Sequence, residues 1–145
     1  MILIPVFNDW TCQTDFLAIL DRQLIGTEIS AKVLVMGDGS STTPKHSLLQ
    51  GEHQALHEVE YIELRRNHGQ RRAIAVSRTY TEDRDSCETA VIMDSGSEDD
   101  PNDVPHLLQT YHEQACQKIA FVEHTSVRNS RCFGRFTSLG VFRPW

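Results

Sequence analysis

The chain has 145 residues, 39% of them hydrophobic and 23% charged, with a formal net charge of −6. That length supports one domain with its own core and excludes two large ones. The acidic balance excludes nucleic acid or anionic lipid as the partner for which the whole surface is built.

The opening "MILIPVF" is a short apolar run with no basic segment before it, so a signal peptide is not expected. No apolar run reaches the roughly 20 residues that a membrane-spanning helix needs. Cys12, Cys87, Cys116 and Cys132 form no C-x-x-C pair and are expected to be reduced thiols of a cytoplasmic chain.

In chain order, "ILIPV" (2–6) predicts the first strand. "TCQTDFLAILDRQL" (11–24) predicts a helix with Phe16, Leu17, Leu20 and Leu24 on one face. "KVLVM" (32–36) is the second strand, and 44–58 holds a weaker helical segment. "VEYIEL" (59–64) is a third strand whose partial alternation places it nearer a sheet edge. "GQRRAIAVSRTY" (69–80) is helical, with Ala73, Ile74 and Val76 among strong helix formers. "TAVIM" (89–93) is the fourth strand. "DVPHLLQTYHEQ" (103–114) predicts a helix capped by Asp103 that aligns Val104, Leu107, Leu108 and Tyr111. "KIAFV" (118–122) is the fifth strand. Residues 1–127 are therefore read as the domain. Residues 128–145, with Arg128, Arg131, Arg135 and Arg143 and no acid, are read as a basic C-terminal tail.

Strands about thirty residues apart, separated by helix-length segments, are the spacing of βαβ units. They predict an α/β three-layer sandwich with a mostly parallel sheet and helices on both faces. In such a sheet ligands bind beyond the carboxyl ends of the strands. The segments there are Phe7-Asn8-Asp9, "GDGSS" (37–41), "RRNHGQRR" (65–72), "DSGSEDDP" (94–101) and "EHTSVRNSR" (123–131). Acids, arginines and small residues thus gather at one edge.

In order, "ILIPVFND", "VLVMGDGSS", "IELRRNHGQRRAIAVSRTY" and "VIMDSGSEDDPNDVPHLLQ" resemble successive motifs of the family 2 glycosyltransferases, whose fold is GT-A (Rossmann-like). The likeness is nearest to the polyprenyl- and dolichyl-phosphate sugar transferases and covers residues 2 to about 108, the donor-binding half. The resemblance implies a nucleoside diphosphate sugar as donor and transfer of a hexose to a polyprenyl phosphate or glycan acceptor. It implies a place in cell-envelope or glycan biosynthesis, in the cytoplasm or at the cytoplasmic face of a membrane. Carried over, Pro5 and Asn8 support the nucleotide, and Asp38 contacts the base or ribose. Asn67, Gly69 and Arg72 lie beside the nucleotide. Asp94 is the first acid of a D-x-D element, contacting the ribose and a Mg2+ or Mn2+ ion on the diphosphate.

The chain departs from these motifs at several donor-facing positions. Gly37 replaces an acid before Asp38, Gly96 replaces the second acid of D-x-D, Ser97 and Ser77 replace glycines, and His124 stands where arginine is frequent. Asp99 and Asp100 are read as charging and capping the next helix rather than as replacement ligands. The alternative reading is a non-catalytic remnant or binding module with the same fold. His53 and His57, four apart, lack a third ligand and are read as surface residues. A phosphoacceptor signalling domain fits poorly, because the first strand is followed by one acid, Asp9, and the fifth by Glu123-His124 instead of lysine.

Overall fold

The computed structural model describes residues 1–42, 44, 53–84, 89–96, 99–113, 119–121 and 140–142. The described elements are β1 (Ile2–Val6), α1 (Trp10–Leu24), β2 (Ala31–Gly37), β3 (Leu56–Glu63), α2 (Gln70–Arg84) and β4 (Ala90–Ile92). A 3-10 turn (Pro101–Asp103), α3 (Val104–Glu113), β5 (Ile119–Phe121) and β6 (Gly140–Phe142) follow.

All five residues of β1 are buried. A strand with apolar side chains on both faces is stable only between two covering layers, and that places it centrally. The sheet order is β3-β2-β1-β4-β6-β5. β1, β2, β3 and β4 are parallel, with Ile4 opposite Val35 and Leu3 opposite Ile92. β3 is an end strand and is only partly buried, as its alternation predicts.

The strands divide their side chains between two layers. Ile2, Ile4, Val6, Val33 and Val35 pack with Phe16, Leu17, Leu20 and Leu24 of α1 and with Val104, Leu107 and Tyr111 of α3. Leu3, Leu34 and Met36 pack on the other face with Ala73 of α2. Each fully buried aliphatic side chain contributes about 1.5–3 kcal/mol relative to exposure. The α/β sandwich with helices on both faces is therefore present.

The structure settles four local details. α2 buries Ala73, Ser77 and Thr81, a stripe at i, i+4 and i+8, while Val76 is exposed. The stripe is small, so the helix lies close to β1 and β2. Ser77 is tolerated there because its hydroxyl donates to the Ala73 carbonyl at 2.8 Å. Secondly, a 3-10 turn, Pro101–Asp103, leads into the helix, and Asp103 is its last residue. Asp100 caps the 3-10 turn, its carboxylate accepting the Asn102 N–H, and α3 continues directly from that turn. Thirdly, residues 45–52 of the weak helical segment lie outside the described residues, and Leu56 to Glu58 belong to β3, so His57 is on a strand. Finally, β6 lies within the stretch read as a tail. It enters the sheet between β4 and β5, antiparallel to both.

Candidate functional site

Beyond the carboxyl ends of the parallel strands lies a cleft of about 340 Å3. Pro5, Val6, Phe7 and Asp9 line it from β1 and the loop to α1. Asp38 lines it from the end of β2, Asn67, Gly69 and Gln70 from the β3–α2 connection, and Asp94, Ser95 and Gly96 from the loop after β4. Three strand ends and a helix start therefore converge there, at the edge that parallel-sheet topology favours for ligands.

Asp38 is only 3% exposed. Its backbone N–H continues the ladder to the Val6 carbonyl at 2.8 Å. Its Oδ1 accepts the His68 N–H and its Oδ2 the Gly69 N–H, each at 2.8 Å. The carboxylate thus clamps the turn that starts α2, and these donors compensate its burial. Asn67 adds to the same turn, its Oδ1 accepting the Gly69 N–H at 2.9 Å. Gly39 permits the approach: it has φ +69°, and a Cβ there would collide with the Arg66–Asn67 backbone.

Asn8 does not line the cleft. It sits at φ 60° between Phe7 and Asp9, which do. Its Oδ1 accepts the Ser41 N–H at 2.8 Å and the Ser41 hydroxyl at 3.0 Å, which ties the β1 loop to the β2 loop. Arg72 also lies outside the cleft lining. It is in the first turn of α2, exposed, with its N–H donated to the Gly69 carbonyl at 2.9 Å. The structure therefore brings Pro5, Asp38, Asn67, Gly69 and Asp94 together and sets Asn8 and Arg72 beside them.

Asp94 is half-buried and already has partners. Its Oδ2 accepts the Gln70 side-chain N–H at 2.9 Å, and its Oδ1 accepts the Gly96 N–H at 2.8 Å. Asp99 turns back to accept the Asp94 N–H at 2.7 Å, so it fastens the loop instead of charging a helix. Among the described residues no three His, Cys, Asp or Glu side chains are grouped as metal ligands. Asp9, the remaining cleft acid, caps α1 by accepting the Cys12 N–H. One carboxylate held by two donors does not fit a resident divalent cation. The Asp9 carboxylate beside the Cys12 thiol, helped by slight desolvation, raises that thiol above its ordinary value and keeps it protonated, hence a poor nucleophile.

Phe7, Asp9, Gln70 and Ser95 line the cleft but are not among the residues to which the family resemblance assigns a donor contact. Phe7 carried a signal: it is a large apolar residue just past a buried strand, and it is 52% exposed.

No protein-family model matches the chain, and no curated protein matches it in sequence. Solved structures do match it. S. aureus TarS 1-349 superposes with a TM-score of 0.69 at 13% identity, covering 99% of this chain and 46% of that one. The mannosyltransferase PcManGT from Pyrobaculum calidifontis, in complex with GDP-Man and Mn2+, gives 0.67 at 13% identity over 98% and 43%. S. aureus TarS 1-349 in complex with UDP-GlcNAc gives 0.63 at 15% identity over 99% and 44%. These neighbours are GT-A glycosyltransferases, and the chain has their fold. It spans less than half the length of each.

Proposed function

We propose that this chain is a donor-binding unit of GT-A type that holds a nucleoside diphosphate sugar in the cleft. The observation that carries the reading is the convergence of Pro5, Asp38, Asn67, Gly69 and Asp94 on one cleft at the carboxyl edge of the sheet. Support comes also from the ligands named for two structural neighbours, GDP-Man and UDP-GlcNAc.

The base and ribose lie between Pro5–Phe7 and the Asp38-clamped turn. The diphosphate lies toward the start of α2, where the partial positive charge of the helix favours an anion. Arg72, in that first turn, adds charge. Asp94 accepts from a ribose hydroxyl. In transfer, an oxygen of a lipid phosphate or glycan acceptor bonds to the anomeric carbon as the bond to the diphosphate breaks. Arg72 and the positive end of α2 stabilise the negative charge that develops on the departing nucleoside diphosphate. Among the described residues no helix is long and apolar enough to cross a membrane. A lipid acceptor would be met at the cytoplasmic face of a membrane.

Isothermal titration with UDP and GDP tests the reading. A Kd below about 1 mM, equivalent to roughly −4 kcal/mol, is expected for one of them, with or without Mn2+. No binding at millimolar nucleotide overturns it. The second reading, a binding module without catalysis, is favoured by one feature: Asp94 is satisfied by Gln70 and Gly96 without a cation. Nucleotide binding with no release of UDP or GDP from any sugar nucleotide, with polyprenyl phosphate or glycan acceptors present, would select it.

A further inference from the structure

We propose that Glu63, at the end of β3, occupies from the neighbouring strand the space that Gly37 leaves open, and so positions the loops that wall the cleft. Gly37 and Glu63 are partners in the β2–β3 register, and the Leu64 N–H donates to the Gly37 carbonyl at 2.8 Å. The backbone does not require glycine at 37, because that residue is not in the left-handed region. Glycine there leaves room for the exposed end of the Glu63 side chain in its present place. A Cβ on Gly37 would fall on the Glu63 carboxylate, with the Tyr61 hydroxyl at 2.7 Å. Glycine at 37 and glutamate at 63 are therefore one arrangement rather than two independent residues.

Glu63 uses that space to hold other groups. Its Oε1 accepts the Ser40 N–H at 2.8 Å, and its Oε2 accepts the Tyr61 hydroxyl. Ser40 Oγ in turn accepts the Asn8 N–H at 3.1 Å. Tyr61 stands edge-on to Trp10 with ring centres 5.4 Å apart, and Trp10 Nε1 donates to the Thr42 carbonyl at 2.8 Å. The chain of contacts runs from β3 through the β2 loop to Asn8, whose neighbours Phe7 and Asp9 line the cleft. A non-glycine residue at positive φ persists only where its surroundings hold it, and Asn8 is held from this side. Glu63 itself does not line the cleft, so it is a positioning residue.

The role rests on the donor-site reading, and the test separates the two. Thermal unfolding and UDP and GDP titrations are run on the unchanged chain, Glu63→Ala, Gly37→Asp and the double variant. Gly37→Asp alone, which must push aside the exposed end of the Glu63 side chain, is expected to lower Tm by about 2–4 °C, and the same change in the Glu63→Ala background by less than about 1 °C. Glu63→Ala is expected to weaken nucleotide binding about tenfold, and adding Gly37→Asp to restore it to within about threefold. Glu63→Gln, which keeps the size and one acceptor, is expected to stay within about threefold of the unchanged chain. Additive Tm losses overturn the pairing. An unchanged affinity in Glu63→Ala, or no restoration in the double variant, overturns the positioning role. If the unchanged chain binds neither nucleotide, the donor-site reading falls, and the Tm cycle alone decides whether Glu63 and Gly37 act as a pair.

Discussion

Asp21 and Asp38 do similar work at different places along the chain. Asp21, on α1 and 8% exposed, accepts the N–H groups of Gln54, Ala55 and Leu56 as the chain enters β3. Asp38, 3% exposed, accepts those of His68 and Gly69 as the chain approaches α2 after β3. Both bury a carboxylate and satisfy it with backbone donors. Only Asp38 faces the cleft. The contrast shows that a buried aspartate with perfect partners is not evidence of a binding site by itself. Its place relative to the strand ends decides.

The sharpest separation comes from removing each clamp. Asp21→Ala leaves three backbone N–H groups without their acceptor at the entry to β3 and is expected to cost about 3–4 kcal/mol of stability. Nucleotide affinity, measured under conditions where the variant is folded, should change less than about twofold, since sites this far apart usually act independently. A large affinity loss would show that the two clamps are one functional unit.

Asp38→Ala removes two acceptor bonds and should cost about 2–3 kcal/mol in urea unfolding. Here nucleotide binding should also fall at least about tenfold, a further 1.4 kcal/mol. Stability loss with unaltered affinity would move the nucleotide away from the β2 end and break the comparison.

Acid tests the Asp21 clamp more gently. Burial alone pushes the Asp21 carboxyl up, but the N–H donors of Ala55, Gln54 and Leu56 outweigh it and hold it below its ordinary value. A carboxyl lowered in the folded state contributes stability that is fully present above its unfolded pKa, about 3.9, and lost as pH falls through the lower folded value. The unchanged chain should therefore lose stability steeply below about pH 4, and Asp21→Asn should show a shallower dependence there. Parallel pH–stability curves for the two chains would remove the clamp from acid unfolding.

The smallest change expected is at Gly96. A Cβ there would stand 3.0 Å from Asp94 Oδ1, a close but adjustable contact. Gly96→Asp should alter stability by less than about 1 kcal/mol. It should also place a second carboxylate beside Asp94, so that Mn2+ tightens nucleotide binding in this variant but not in the unchanged chain. Mn2+ dependence already present in the unchanged chain would show that Asp94 alone suffices.

Much of the sheet was legible without coordinates. Runs such as Ile2–Val6 show no alternation because both their faces are buried, and the partial alternation of β3 goes with its partial burial at a sheet end. The small-residue face of α2 was less legible, since Ala73, Ser77 and Thr81 carry almost no hydrophobic signal. β6 was not legible at all. Three residues cannot show a period, and their pairing with β4 and β5 is made by long-range hydrogen bonds.

The same division holds at the cleft. By itself the sequence determined which strand ends carry acids and which positions, Gly37 and Gly96, lack them, because those facts are local to a motif. Tertiary structure alone decided what occupies the gaps. Glu63 reaches the space at Gly37 from 26 positions later in the numbering, and Gln70 reaches Asp94 from another strand-to-helix connection. Hydrogen bonding acts over about 3 Å in space whatever the separation along the chain, so the partner of a buried carboxylate is set by the fold and not by its neighbours in sequence.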